Sequence, residues 1–76
     1  MVRAFIMVKT TAGKSEELLA SIRAVDGVEE AHIVAGQYDI VAEAVREEVY
    51  DLMHEVATEL RDLEGVVDTK TYICLD

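Results

Sequence analysis

Cysteine is nearly absent from the chain, and this removes the two common ways of stapling a small domain. The one cysteine, Cys74, has no partner for an internal disulfide, and no metal-ligand spacing surrounds it. The 76 residues are enough for one domain, and a domain of this size buries only about 60% of its unfolded surface. The stability that a disulfide or a metal would give must therefore come from packing or from assembly with other subunits.

Basic residues are also scarce, since 7 Lys and Arg stand against 16 Asp and Glu and give a formal net charge of −9. They are spread from Arg3 to Lys70 without forming a basic patch. Nucleic-acid binding depends largely on Lys and Arg that neutralise phosphates, so we expect no direct contact with DNA or RNA. The same balance is typical of a protein adapted to high intracellular salt, where screening weakens self-repulsion, and we expect a halophilic source.

Long hydrophobic runs are missing, although 51% of the residues are apolar. The longest run, residues 4–8, is far shorter than the ~20 residues of a membrane helix. The apolar share is too high for a disordered chain, and no charged-then-apolar leader opens the sequence. We therefore expect one globular domain over residues 1–76, located in the cytoplasm and not associated with a membrane.

Along the chain, segments with a strand-like pattern and segments with a helix-like pattern follow one another. Segments rich in β-branched and apolar residues predict four strands, over residues 2–9, 28–35, 38–45 and 66–75. Apolar residues at helical spacing predict two helices, over residues 14–25 and 46–63. Asp26-Gly27 and Glu64-Gly65 end the helices, and Gly36-Gln37 predicts a tight hairpin turn in which Gly36 suits a positive φ.

This βαββαβ order contains an internal near-repeat. The sequence IRAVDGV at residues 22–28 resembles LRDLEGV at residues 60–66, at an offset of 38 positions. Two βαβ halves follow from the repeat, and because such crossovers are right-handed, the halves are expected to interleave. The prediction is an α+β fold: a ferredoxin-like βαββαβ antiparallel sheet with two helices on one face, which pairs into a dimeric α/β barrel.

The first strand is apolar on both faces, through residues 4–8. Two helices can cover only one face of a four-stranded sheet. We expect the second apolar face to meet the sheet of another copy, which gives a face-to-face homodimer. The alternative is an ordinary surface with a few exposed aliphatic residues.

Arrangements that could carry catalysis or bind a metal are not evident in the sequence. His32 and His54 lie 22 positions apart without a recognised ligand spacing. Acidic pairs such as Glu16-Glu17 are adjacent, and adjacent helical residues do not share a face. Cys74 lies in an apolar strand and is interpreted as a packed, inert thiol. We expect no catalytic residue, no metal and no cofactor.

A ligand-binding role is best supported by the segment Gly36-Gln37-Tyr38-Asp39-Ile40. Asp39 opens an apolar strand, so its carboxylate must either accept hydrogen bonds from its own turn or meet a cation such as the ammonium of a small ligand. Tyr38 presents an apolar body with a polar tip. On the last strand, Thr69 and Thr71 either offer hydroxyls to a ligand's carboxylate or simply serve as good strand formers.

Three segments together resemble the regulation-of-amino-acid-metabolism (RAM) domain of the Lrp/AsnC (feast/famine) transcriptional regulators. They are this hairpin, the helix end Leu63-Glu64-Gly65-Val66 and the strand Asp68-Thr69-Lys70-Thr71-Tyr72-Ile73. The resemblance covers essentially the whole chain. In that family the domain dimerises by packing two sheets, the dimers assemble into rings of four or more, such as an octamer, and a small amino acid binds near the Gly-x-Tyr-Asp turn and the last strand. The resemblance implies ligand-binding roles for Gly36, Tyr38, Asp39, Thr69, Thr71 and Tyr72.

One departure limits how far this resemblance extends. Full-length members carry an N-terminal helix-turn-helix, whereas the first strand here begins at Val2. The resemblance therefore implies a stand-alone RAM domain without a DNA-binding domain, which senses an amino acid and modulates transcription through full-length Lrp/AsnC partners. The alternatives are a small dimeric ferredoxin-like enzyme of the monooxygenase kind, a ligand-free assembly subunit, and an ACT-type amino-acid-binding domain.

Overall fold

Four strands and two helices follow one another along the chain in the predicted βαββαβ order. The computed structural model describes residues 1–76. The second helix, α2, spans residues 49–61 and includes a π-helical segment. The elements are β1 (Val2–Thr10), α1 (Ser15–Arg23), β2 (Val28–Ile33), β3 (Ile40–Arg46), α2 (Val49–Asp51, Leu52–Ala57 and Thr58–Arg61) and β4 (Val66–Ile73). Neither helix has the length and apolar character needed to cross a bilayer.

The strands form one antiparallel sheet in the order β2-β3-β1-β4. The first strand therefore lies between β3 and β4, as expected when two right-handed βαβ units interleave. Both helices pack on the same face of this sheet, where their apolar residues join the sheet's buried residues in one core. The predicted ferredoxin-like α+β fold is confirmed.

Alternation along β1 and β3 separates the core face of the sheet from its open face. The β1 residues Ala4, Ile6 and Val8 are fully buried, and the residues opposite them in β3 are Ala44, Ala42 and Ile40, which are also fully buried. Residues opposite each other on neighbouring strands share a face, so all six lie under the helices. Burying a large aliphatic side chain stabilises the fold by about 1.5–3 kcal/mol. The largest fully buried side chains are Ile6, Ile22, Ile40, Leu52, Leu60, Val8 and Val56.

The two halves of the sequence repeat form matching turns after the two helices. Gly27 and Gly65 each have a φ of +100°, a conformation that side chains with a Cβ rarely adopt. The amide of the following valine donates to the carbonyl two residues before each glycine, at 3.1 Å from Val28 to Val25 and 3.2 Å from Val66 to Leu63. A Cβ on Gly27 would lie 2.7 Å from Val56 Cγ2, so this glycine also lets the turn contact α2.

The connection between β2 and β3 differs from the predicted tight turn. Residues 34–39 form a six-residue loop, so the predicted end of strand two at 35 and start of strand three at 38 are wrong. Gly36 does not adopt a positive φ. The loop is held against the end of β1 instead: the Asp39 amide donates to the Val8 carbonyl at 2.9 Å, and Lys9 Nζ donates to the Gln37 carbonyl at 3.3 Å.

The second helix departs from the predicted regular α-helix in its middle. Leu52–Ala57 is π-helical. The Thr58 hydroxyl donates to the Met53 carbonyl five residues earlier at 3.0 Å, and the His54 ring stacks on Tyr50 at a centroid distance of 4.0 Å. Side chains that bond to nearby carbonyls compete with the α-helical ladder, and this competition widens the helix locally.

Candidate ligand-binding site

An apolar patch lies at the centre of the sheet face that the helices leave open. Phe5 is 37% exposed and Tyr72 is 56% exposed, and these two residues stand opposite each other on β1 and β4. Met7 and Val41 are half-buried and stand opposite each other on β1 and β3. The sequence-based prediction that β1 carries a second apolar face agrees with this arrangement.

A cavity of about 480 Å³ opens where the loop of residues 34–39 meets this patch. Its volume lies within the range of ~300–1,000 Å³ that is common for small-molecule sites. It brings together three of the predicted ligand-binding residues, Gly36, Tyr38 and Tyr72. No charged side chain belongs to its lining, which consists of Met7, Val34, Ala35, Gly36, Gln37, Tyr38, Val41 and Tyr72.

Four consecutive backbone amides of the loop beside this cavity have no partner in the chain. The N–H groups of residues 35–38 donate no hydrogen bond to any group of the chain, whereas the amides of Val34 and Asp39 on either side do. A run of free amides in a concave loop is suited to an anion such as a carboxylate. These unpaired amides are the candidate partners for the carboxylate of a small ligand.

Asp39 does not line the cavity. Its Oδ2 accepts hydrogen bonds from the Thr10 amide at 2.8 Å and from the Thr10 hydroxyl at 3.2 Å. The Thr10 side chain is buried, and its hydroxyl lies 3.0 Å from the Ser15 hydroxyl at the start of α1. This chain of hydrogen bonds ties the loop to β1 and α1, so Asp39 has a structural role, although its partner is Thr10 on β1 and not an amide of its own turn. Contact between Asp39 and a ligand's ammonium stays a prediction.

The two threonines of the predicted site lie on the other face of the sheet. Thr71 stands opposite Ile6 and Thr69 stands opposite Val8, and both partners are buried under the helices. Tyr72, which alternates with them, faces the cavity. Direct contact of Thr69 and Thr71 with a ligand stays a prediction, and the geometry separates both of them from the cavity lined by Tyr72.

Five residues that line the cavity were missed by the sequence reasoning. They divide into loop residues (Val34, Ala35 and Gln37) and residues of the open sheet face (Met7 and Val41). The loop residues flank Gly36 and Tyr38 and could have been found from the position of the turn. Met7 and Val41 required the register between β1 and β3, because only that register brings them side by side.

Charged residues surround the apolar patch on the open face. Arg3 pairs with Glu43 and with Glu29, the latter at 3.2 Å, and Glu30 lies 3.2 Å from His32. Apart from Glu43, these side chains are about half exposed or more, so such pairs contribute little to stability. No group of three or more His, Cys, Asp or Glu residues is placed to hold a metal ion.

Comparison with known proteins connects this chain and its fold to one family. The model of the family described as "Lrp/AsnC ligand binding domain" matches residues 3–76. The leucine-responsive regulatory protein of Haemophilus influenzae is 31% identical over 61 residues, which cover 80% of this chain and 37% of that protein. The chain thus spans little more than a third of the curated relative's length.

Solved structures agree with this match. The crystal structure of FFRP-DM1 is 32% identical in sequence to this chain and gives a TM-score of 0.91. The alignment covers 99% of this chain and 100% of that chain. A transcriptional regulator of Neisseria meningitidis, solved as a complex with L-Met, is 25% identical with a TM-score of 0.83. That alignment covers 99% of this chain and 50% of the regulator's chain.

Proposed function

The chain belongs to the Lrp/AsnC ligand-binding domain family, and from this premise we propose that it senses an amino acid, forms oligomers and modulates transcription through full-length Lrp/AsnC partners. Its relatives are transcriptional regulators, which supports a regulatory sensing role over an enzymatic one. The single observation that carries the proposal is the cavity between the loop and the open sheet face, with Gly36, Tyr38 and Tyr72 on its wall.

The ligand is an amino acid held by its backbone groups at the loop. Its carboxylate accepts hydrogen bonds from the free amides of residues 35–38, and its side chain lies toward Met7, Val41 and Tyr72. The Neisseria meningitidis regulator's complex with L-Met supports this class of effector. Asp39 contributes by fixing the loop on Thr10 through its Oδ2.

Assembly uses the open face of the sheet. Two copies pack their apolar patches against each other as a homodimer, and dimers join into a larger ring such as an octamer. The patch is the part of the surface that supports this proposal, because Phe5 and Tyr72 are large and exposed there. Met7 and Tyr72 also line the cavity, so ligand binding and sheet pairing are linked through the same side chains.

Transcriptional control acts through partners that bind DNA. The net charge of −9 disfavours direct contact between this domain and a polyanion. We therefore assign DNA binding to full-length regulators that share the open sheet face with this domain in mixed oligomers, and we place the domain in the cytoplasm.

Thermal unfolding in the presence of amino acids tests the sensing role. The protein is heated at high salt, alone and with each common amino acid at about 10 mM. A ligand with a Kd of about 100 µM stabilises the native state by roughly 2.7 kcal/mol, which raises the Tm by several degrees. We expect a shift with a few amino acids.

Two matched variants test whether the shift in Tm arises from binding at the cavity. Tyr38→Ala removes a wall of the cavity and is expected to abolish the shift, whereas Tyr50→Ala, at an exposed position on α2, is expected to keep it. If no amino acid changes the Tm of the wild-type protein, the sensing role is wrong, and a ligand-free assembly subunit becomes the better description.

A further inference from the structure

The cavity wall has no charged side chain, although 30% of the residues in the chain are charged. The only non-aromatic polar side chain in its lining is Gln37. The wall opposite the loop consists of Met7, Val41 and Tyr72, which are half-buried or exposed on the open face. A ligand side chain that enters this space therefore exchanges water for thioether, aliphatic and aromatic surface.

Two charged residues are tied to the cavity loop or belong to it, and both already make hydrogen bonds there. Lys9 Nζ donates to the Gln37 carbonyl at 3.3 Å, and Asp39 Oδ2 accepts two hydrogen bonds from Thr10. Neither residue lines the cavity. Lys70 stands opposite Met7 on the open face, but it does not line the cavity either. A carboxylate or ammonium on a ligand side chain would therefore lose water without gaining an ionic partner among the lining residues, and such desolvation is unfavourable.

We propose that this cavity selects amino acids with uncharged, apolar side chains, and that Met7, Val34, Val41 and Tyr72 determine this specificity. The inference rests on the proposed function, because it takes the cavity as the effector site. It adds the chemical class of the effector: aliphatic or thioether side chains are accepted, and acidic and basic side chains are rejected.

The net charge of the whole protein affects the binding of acidic and of basic amino acids in opposite directions. A net charge of −9 repels acidic amino acids and attracts basic ones over long distances. At 1 M salt the Debye length falls to about 3 Å, so this general effect is screened while short-range contacts in the cavity remain. Discrimination measured at high salt therefore reports the cavity wall.

A homologous series of ligands tests the apolar wall directly. Calorimetric titration at 1 M NaCl with alanine, 2-aminobutyrate, norvaline and norleucine adds one methylene at a time. Burial of a methylene is expected to tighten binding by about fourfold at each step. A flat series would show that the ligand side chain does not enter the apolar cavity.

Matched pairs of ligands test the rejection of charge. Glutamate resembles norvaline in length but ends in a carboxylate, and lysine is norleucine with a terminal ammonium. We expect norvaline to bind more than tenfold tighter than glutamate, and norleucine tighter than lysine. Equal or tighter binding of the charged member of either pair would overturn the inference while leaving amino-acid sensing intact, whereas the absence of binding by every amino acid would overturn both.

A charge placed in the wall is expected to reverse the preference. Val34→Lys puts an ammonium in the cavity lining at a half-buried position, and the control Val67→Lys makes the same change at an exposed β4 residue outside the cavity. We expect V34K to weaken norvaline binding about tenfold and to strengthen glutamate binding, with V67K unchanged. An unchanged preference in a folded V34K would remove Val34 from the specificity wall.

Discussion

Asp39 illustrates, at the scale of a single residue, how one carboxylate can organise the loop of residues 34–39 without lining the cavity. Both hydrogen bonds that its Oδ2 accepts come from Thr10, and the Thr10 hydroxyl continues to Ser15 at the start of α1. The bonds therefore connect the ligand loop, the central strand and the first helix. A buried donor that loses its acceptor destabilises the fold, so these hydrogen bonds depend on an oxygen at position 39.

Substitutions at Asp39 test how much these hydrogen bonds contribute to stability. We expect Asp39→Ala to lower the free energy of unfolding by about 1–3 kcal/mol, because the Thr10 amide and hydroxyl lose their acceptor. Asp39→Asn keeps an acceptor oxygen and is expected to cost less. Urea unfolding of the three proteins gives the values. A stability of D39A equal to that of the wild type would show that the carboxylate does not hold the loop.

The sequence allowed only part of the site to be predicted, for a reason that also lies at the residue scale. Gly36 and Tyr38 follow from the turn, whereas Tyr72 was implied only by the family resemblance. Thr71 and Tyr72 are neighbours on that strand, and neighbouring strand residues point to opposite faces. They could not both face one cavity, and only the register with β1, in which Thr71 stands opposite Ile6, decides which of them does.

At the scale of elements, the repeat made the fold predictable. Each half ends its helix with an acidic residue and a glycine, and both glycines adopt the same φ of +100°. Helical and strand periodicity supplied the remaining elements. The π-helical segment Leu52–Ala57 was not predictable, because it accompanies side-chain bonds such as that of Thr58 to the Met53 carbonyl, which hydrophobic spacing does not encode.

Arg46 joins three elements at the end of β3. Its Nη2 lies 3.1 Å from Asp26 in the turn after α1, and its Nε donates to Glu55 on α2 at 3.1 Å. The hydrogen bond to Glu55 is the main reason that the pKa of Arg46 is raised, and the carboxylate of Asp26 adds to it.

Loss of Arg46 is expected to loosen the contact between this turn and α2. We expect Arg46→Gln to lower the Tm at low salt, and the loss to shrink at 1 M NaCl because exposed ion pairs are screened. Arg61→Gln is the control, since it removes the same charge from an exposed arginine that has no ion pair. Equal Tm values for R46Q and R61Q at low salt would contradict a specific role for Arg46.

At the scale of the whole molecule, two features oppose each other. The open face exposes apolar side chains that favour pairing with a second copy, whereas the net charge of −9 makes two copies repel each other. Repulsion between exposed charges weakens with salt, but apolar burial does not. Assembly through the open face is therefore expected to strengthen as the salt concentration rises.

A charge placed on the open face at a residue outside the cavity lining tests this assembly. Phe5 is 37% exposed, stands opposite Tyr72 and Glu43, and does not line the cavity, so Phe5→Glu would bury new carboxylates between two paired sheets. We expect sedimentation at 1 M NaCl to give a dimer or larger oligomer for the wild type at about 10 µM and a monomer for F5E. The matched variant Tyr50→Glu, on the helix side, keeps the wild-type mass if the open face is the interface. An F5E protein with the wild-type mass, or a monomeric Y50E, would instead place the interface on another surface and leave the apolar patch as a free face of the sheet.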